Sequence, residues 1–261
     1  MATVFVVPVK NEYPTSDGKP MAETDWHRVL MIMLIQVLDA WYAKRRKIYV
    51  SGNLLIYYVK GNKRKHVAPD VFVVKGVPKR KRLNFLVWVE GQGPDFIIEL
   101  TSSSTRAKDE KKNFLIYQNI LKVQEYFLFD PLGDYLKPPL KGYRLVRGKY
   151  APIEMVDGRL PSRVLGLHLE RDGSDLRFYH LATRKWLPTP AEVLDQESTA
   201  RQEAQQDQLR AEAARREAEH GRLQAEAARQ QAQAAQQVIE AENVRLRREI
   251  EELRRLVRND K

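Results

Sequence analysis

Residues 95–105 read DFIIELTSSST, and four of the five residues from Phe96 to Leu100 are apolar. A near-continuous apolar run of this length is typical of a strand that is buried on both faces of a sheet. The run predicts a strand over Phe96–Thr101, with Glu99 inside it. A buried carboxylate is costly unless it is paired or binds a cation. Glu99 therefore either pairs with an arginine or lysine, or binds a metal ion.

A second carboxylate occupies a similar position earlier in the chain. Asp70 follows Pro69 in the stretch VAPDVFVV, residues 67–74, at the start of another apolar run. Two carboxylates on neighbouring strands can hold one Mg²⁺, which prefers oxygen ligands and keeps several waters. Such an ion can acidify a water and stabilise charge on a phosphate. The alternative is that Asp70 only caps a turn after Pro69.

The elements around these two runs indicate an α/β fold, a mixed β-sheet flanked by helices. A helix capped by Thr24 or Asp25 is predicted to run to about Arg46 and a second helix to span about Lys108–Leu121. On the first helix the predicted packing residues are Val29, Ile32, Met33, Gln36, Val37 and Ala40. The other predicted strands are Ile48–Val50, Asn53–Val59, Asp70–Lys75, Phe85–Glu90, Glu125–Phe129, Tyr143–Arg147, Tyr150–Met155, Gly166–Glu170 and Leu176–His180.

Positive charge is concentrated in the first 190 residues. Residues 191–261 contain 13 basic and 15 acidic side chains, so residues 1–190 contain 32 basic and 19 acidic ones. An excess of this size favours a polyanionic partner such as DNA, although basic surfaces also serve solubility. Two basic clusters, 60–65 and 79–82, are expected in hairpin loops, where they either follow a nucleic-acid backbone or are simply solvated.

Other compositional features favour a soluble, cytoplasmic protein. The chain has no cysteine, which excludes disulfides and thiolate metal sites. No apolar stretch reaches the roughly 18 residues of a membrane helix, and no signal peptide is recognisable at the start. We therefore expect no membrane partner.

Residues 191–261 are rich in Ala, Gln, Glu and Arg, which predicts a long helix after a folded domain of residues 1–190. In 239–257, Asn243, Ile250 and Val257 fall at heptad position a, and Ile239, Leu246 and Leu253 fall at d. This pattern favours a parallel two-stranded coiled coil, and hence a homodimer. A solvated single helix or a partly disordered tail is the alternative.

The order of motifs resembles the Uma-two family of restriction-endonuclease-like proteins, within the PD-(D/E)XK nuclease superfamily. The similar segments cover about residues 15–190. They are MAETDWH (21–27), APDVFVV (68–74), FIIELTSSSTRAKD (96–109), KVQEYFLFDP (122–131), YLKPPLKGYRL (135–145), LGLHLE (165–170) and LRFY (176–179).

The resemblance implies a restriction-endonuclease-like fold and a metal-dependent endonuclease that acts on DNA with Mg²⁺, or with Mn²⁺ in its place. It makes Asp70 and Glu99 metal ligands, adds the backbone carbonyl of Leu100 as a ligand, and makes Glu23 an auxiliary acid. The alternative role for Glu23 is an ordinary acid at a helix start. His27 also matches a family histidine, for which we expect a structural role.

This sequence differs from the family pattern at the position of the motif lysine. The (D/E)XK spacing places it at Thr101, whereas the family supplies it from the next helix, four residues before the residue that matches Tyr117. That position is Asn113, so Lys112 is the nearest candidate cation, unless it belongs to a solvated basic face with Lys108 and Lys111. The alternative function is a catalytically impaired, nuclease-derived DNA-binding or oligomeric scaffold protein.

Overall fold

The computed structural model describes residues 13–16, 24–101 and 108–259. It divides the chain into two compact units, residues 1–193 and 194–261. The helices are α1 (Asp25–Trp41), α2 (Val87–Glu90), α3 and α4 (Pro190–Asn259). Helix α3 has π-helical stretches, Lys108–Asn113 and Tyr117–Leu121, on either side of an α-helical turn, Phe114–Ile116.

Thirteen strands form three sheets within the described residues. They are β1 (Ile48–Ser51), β2 (Ile56–Tyr57), β3 (His66–Val67), β4 (Val71–Lys75), β5 (Phe85–Leu86), β6 (Phe96–Leu100), β7 (Glu125–Phe129), β8 (Leu140–Val146), β9 (Lys149–Pro152), β10 (Leu160–Ser162), β11 (Leu167–Asp172), β12 (Asp175–His180) and β13 (Lys185–Trp186).

The six-stranded sheet has the order β1-β4-β6-β7-β8-β9. Only β6 and β7 are parallel, and α3 makes the crossover between them, as a parallel pair requires. Helix α1 packs on one face of this sheet together with the four-stranded sheet β10–β13, and α3 packs on the other face. The predicted mixed sheet flanked by helices is confirmed.

The central strand β6 is buried along its whole length, as its apolar run predicts. Alternate side chains contact opposite layers because successive residues of a strand point to opposite faces. Phe96, Ile98 and Leu100 join the cluster beneath α1, whereas Ile97 joins the cluster beneath α3. Glu99, two residues after Ile97, therefore points toward α3.

The packing face of α1 differs from the prediction. Leu30, Met31, Leu34, Val37 and Leu38 are buried, whereas Val29 and Ile32 are 62% and 45% exposed. The segment is apolar on nearly every side, so the spacing of its apolar residues does not select one face. The helix also ends earlier than predicted, at Trp41.

Two local predictions are wrong. Phe85–Glu90 is not one strand, because the chain turns after Leu86 into the single-turn helix α2, which ends at Gly91 with φ 81°. Residues 79–82 are not in a hairpin loop, because β4 and β5 on either side of them belong to different sheets. The other basic cluster does lie in a hairpin, between β2 and β3.

The start of α4 is fixed by a capping box. The hydroxyl of Thr189 accepts a hydrogen bond from the Glu192 N–H at 3.2 Å, and the Glu192 carboxylate accepts one from the Thr189 N–H at 2.7 Å. Pro190 occupies the first helical position, where its missing N–H costs nothing. Within the described residues, no helix is long and apolar enough to cross a membrane.

Candidate active site

Asp70 and Glu99 lie side by side at the ends of two paired strands. In the antiparallel β4–β6 pair Val71 is opposite Ile98, so Asp70 and Glu99 are the next residues of the register. The Asp70 N–H donates to Glu99 Oε2 at 3.2 Å, and the Leu100 N–H donates to Asp70 Oδ2 at 2.7 Å. The structure brings the two carboxylates predicted from the sequence into one site.

Glu99 is held by donors from α3. Tyr117 Oη donates to Glu99 Oε1 at 2.6 Å, and Asn113 Nδ2 donates to the same oxygen at 3.1 Å. All three side chains are buried, and Glu99 is 4% exposed. These donors offset part of the cost of a buried carboxylate and fix the orientation of its oxygens. Asn113 and Tyr117 are four residues apart, which places both on one side of the helix.

Asp70 is held from the opposite direction by α1. His27 Nε2 lies 3.1 Å from Asp70 Oδ1, and both side chains are mostly buried. The Thr24 hydroxyl accepts a hydrogen bond from the His27 N–H at 3.3 Å and caps the helix. This cap stabilises the first turn of α1, and that turn places the His27 imidazole next to the Asp70 carboxylate.

The backbone carbonyl of Leu100 is on the same side of β6 as Asp70. In an extended strand, the N–H and C=O of one residue point to the same neighbour. The Leu100 N–H points to Asp70, whereas the next N–H, from Thr101, donates to Phe129 on β7 at 2.7 Å. The Leu100 carbonyl oxygen is therefore on the side of β6 where Asp70 lies.

The donor set fits a hard divalent cation. Two adjacent carboxylates and a carbonyl present only oxygen atoms, which are the ligands that hard divalent cations prefer. Within the described part of the chain, no group of three or more His, Cys, Asp or Glu side chains could hold a metal ion. A cation bound by Asp70, Glu99 and the Leu100 carbonyl would keep several waters as further ligands, as Mg²⁺ commonly does in proteins.

The position of the motif lysine is occupied by neutral side chains. Thr101 is two residues after Glu99, so it shares the same face of the strand; it is 4% exposed, and its hydroxyl has no hydrogen-bond partner among the described residues. Asn113 occupies the position predicted for a lysine from α3 and contacts Glu99 directly. Lys111 and Lys112 are exposed. Glu23 lies outside the described residues, so its predicted role stays a prediction.

The sequence does not predict three side-chain contacts of this site. It predicts a structural role for His27 but not its contact with Asp70. The hydrogen bonds from Asn113 and Tyr117 to Glu99 are also not predicted. The available signal was the spacing of four between Asn113 and Tyr117, which places both on one side of a helix that follows β6.

The chain is similar to a protein family and to several chains of known structure. The family Uma2, described as "Putative restriction endonuclease", matches residues 8–174. The crystal structure of "a putative nuclease belonging to DUF820" from Anabaena variabilis is 22% identical, with a TM-score of 0.41. The match covers 58% of this chain and 80% of that one. No curated protein matches.

Proposed function

The chain belongs to the Uma2 family of restriction-endonuclease-like proteins, and on that premise we propose that it is a metal-dependent endonuclease that hydrolyses phosphodiester bonds of DNA. The observation that carries the proposal is the pair of carboxylates, Asp70 and Glu99, joined by the hydrogen bond from the Asp70 N–H to Glu99. A buried acid beside a second acid is the arrangement that a divalent cation stabilises. Because it acts on DNA, the protein would work in the cytoplasm.

We assign Asp70, Glu99 and the carbonyl of Leu100 as the metal ligands. Mg²⁺, or Mn²⁺ in its place, supplies an acidified water and a positive charge next to the phosphate when it is bound. His27 and the Leu100 N–H orient the Asp70 carboxylate. Tyr117 and Asn113 orient the Glu99 carboxylate. Glu23 is the proposed auxiliary acid.

Lys112 is the proposed cation that contacts the phosphate of the substrate. It is exposed at the residue before Asn113, so its ammonium group is accessible to DNA. A lysine acts as a point charge on a flexible stem and does not require a preformed pocket. Lys112→Ala should lower the rate of cleavage, whereas the same change at its exposed neighbour Lys111 should not. Equal cleavage rates for the two variants would contradict the proposed role of Lys112.

A second candidate function is favoured by Asn113. An amide at this position accepts and donates hydrogen bonds but brings no positive charge to the transition state. Under this alternative the protein is a catalytically impaired, nuclease-derived DNA-binding or oligomeric scaffold protein. It would bind DNA and a divalent ion and release no product.

Cleavage of supercoiled plasmid separates the two functions. Purified protein is incubated with plasmid and Mg²⁺ or Mn²⁺, beside Glu99→Ala and the matched control Glu154→Ala, which removes an exposed glutamate. We expect metal-dependent nicking by the wild type and the control, and none by Glu99→Ala. Intact plasmid in every lane, with DNA binding retained, would favour the impaired protein. Cleavage that persists in folded Glu99→Ala would contradict both the site and the assignment.

We also propose that α4 pairs with a second copy to form a homodimer. Ile239, Leu246 and Ile250 are 59%, 50% and 49% exposed, and all three lie on the heptad seam. A parallel partner helix would bury them and place two sites on one duplex, as a double-strand cutter requires. Sedimentation of the intact chain at micromolar concentration should show a dimer that Leu246→Lys weakens. A monomer for the wild type would contradict the pairing.

A further inference from the structure

Two basic clusters with the same four positive charges differ in their surroundings. In residues 79–82, Lys79 Nζ lies 2.8 Å from Asp39 Oδ1. Arg80 and Arg82 both bind Glu90, at 2.7 and 2.8 Å. The Arg82 side chain is 3% exposed, and its guanidinium lies over a tyrosine ring. Three of the four cations of this cluster are therefore paired with carboxylates within the protein.

The cluster in the β2–β3 hairpin loop is not neutralised in this way. Residues 60–65 read KGNKRK and contain no acid. Its four cationic side chains are exposed, and none of them forms an ion pair with another residue of the described chain. Like charges so close in sequence repel one another, and a polyanion relieves this repulsion.

Three hydrogen bonds stabilise the backbone that presents these charges. Within the loop, Asn62 accepts from the Lys65 N–H through its carbonyl at 3.1 Å and from the Arg64 N–H through its side chain at 3.0 Å. The Gly61 N–H donates to the Tyr13 hydroxyl at 2.8 Å. Gly61 has φ of 80°, which favours glycine. A fixed loop loses less entropy on binding than a flexible one.

One of these cations is also positioned by an aromatic ring. Lys63 Nζ lies 6.0 Å from the centroid of the Tyr13 ring. That ring packs against Tyr57 and Trp88, with centroids 4.9 and 5.2 Å away. The aromatic cluster holds Tyr13 in place at the base of the loop, and the ring attracts the ammonium group.

The loop is close to the proposed active site along the chain. Strand β3 ends at Val67, three residues before Asp70. Because an extended chain spans at most roughly 3.6 Å per residue, Lys65 lies within about 18 Å of Asp70, and Lys63 within about 25 Å. Both distances are shorter than one turn of a DNA duplex, about 34 Å. A duplex with a phosphate at Asp70 therefore has other phosphates within reach of the loop.

We propose that the β2–β3 hairpin loop, residues 60–65, is the arm that binds the phosphate backbone of duplex DNA next to the active site. The inference rests on the proposed function, because that function makes DNA the substrate. The loop contacts phosphates through Lys60, Lys63, Arg64 and Lys65, so it contributes affinity without sequence preference. The cluster at 79–82 has the same charge and contributes little.

Salt dependence of DNA binding tests the loop directly. A fluorescent duplex is titrated with intact protein in EDTA, so that no strand is cut, over a series of salt concentrations. The test variant is Lys63→Ala with Lys65→Ala, and the matched control is Lys79→Ala with Arg80→Ala, which removes the same charge. Each lost phosphate contact lowers the slope of log affinity against log salt by about 0.9. We expect a drop of about 2 for the hairpin variant and almost none for the control.

The outcomes separate this inference from the nuclease itself. Equal slopes for the wild type and a folded hairpin variant would overturn the loop assignment, even if the plasmid is cut in a Glu99-dependent manner. Equal losses in the hairpin variant and the control would also overturn it, because net charge alone would then explain binding. Tighter loop-dependent binding to single-stranded RNA than to the duplex would overturn the choice of duplex DNA. A hairpin-specific loss without any cleavage would support the loop and contradict the nuclease.

Discussion

We expect Asn113→Lys to raise the rate of DNA cleavage. Asn113 Nδ2 lies 3.1 Å from Glu99 Oε1, so a lysine at 113 starts from the side of α3 that contacts the site. Its ammonium group would reach the region next to Glu99, where a positive charge can stabilise the charge that develops on the phosphate. The change supplies the cation that the proposed mechanism otherwise draws from the exposed Lys112.

The size of the effect can be estimated for both stability and rate. At the present 3.1 Å, an ion pair with Glu99 would gain roughly 5 kcal/mol at an effective dielectric constant of about 20. Desolvation of the ammonium costs several kcal/mol, so the net change in the free energy of unfolding should be small. The gain in rate should be larger, because one well-placed donor is worth about 10²- to 10³-fold in kcat.

The assay is plasmid cleavage under single-turnover conditions with Mg²⁺, beside Asn113→Met. Methionine has a similar length and no charge, so it controls for the larger side chain at a buried position. Far-UV circular dichroism establishes that each variant is folded. If Asn113→Lys is folded, binds Mn²⁺ and cleaves no faster than Asn113→Met, then the neutral side chain at 113 does not limit turnover and this reasoning is refuted.

Three further predictions concern the framework of the site. A Cβ at Gly52 would lie 1.9 Å from the Asp70 carbonyl oxygen, so Gly52→Ala should displace Asp70 and weaken Mn²⁺ binding measured by calorimetry, at about 1–3 kcal/mol of stability. Glu125 is 1% exposed and paired with a 21% exposed arginine, so Glu125→Gln should cost about 3 kcal/mol in urea unfolding. Hydrogen bonding by Arg82 lowers the pKa of Glu90 below its usual 4.5. The stability from this pair is present above that pH and lost as the pH falls through the lowered pKa, so Glu90→Gln should flatten the acid side of the stability profile.

Each of these predictions has a control and a contrary result. Gly221→Ala adds a methyl group where nothing lies within 4 Å, so it should leave Mn²⁺ binding unchanged; an equal loss in both glycine variants would contradict the role of Gly52. Glu170→Gln removes a more exposed pair with Arg159 and should cost less than about 1 kcal/mol. A loss as large as that of Glu125→Gln would contradict the burial argument. A parallel acid profile for Glu90→Gln and the wild type would contradict the coupling to Arg82.

The sequence predicts the parts of the fold that depend on local pattern. Phe96–Leu100 and Glu125–Phe129 are short, nearly continuous apolar runs, which are typical of strands buried on both faces of a sheet. Both segments are such strands in the structure. The face of α1 could not be predicted, since residues 29–38 are apolar on nearly every side. Val87–Glu90 has the β-branched composition of a strand, but the tertiary context makes it a helical turn.

The carboxylates of the site were predictable, but their supporting contacts were not. Asp70 directly precedes an apolar run and Glu99 lies inside one, and both positions can be identified from the sequence alone. Whether Asn113 or Lys112 contacts Glu99 depends on how α3 is rotated about its axis against the sheet, and the sequence does not fix this rotation. The contact of His27 with Asp70 depends on how α1 docks on the sheet.

The most direct test of the account is titration of the protein with Mn²⁺, because both candidate functions require the metal site and neither requires turnover for this readout. Wild type, Asp70→Asn and Glu99→Gln are compared by calorimetry, with folding checked by circular dichroism. The account predicts one site in the wild type and at least tenfold weaker binding in either variant, a loss of about 1.4 kcal/mol or more. Equal affinity in all three proteins would contradict the claim that Asp70 and Glu99 form the metal site.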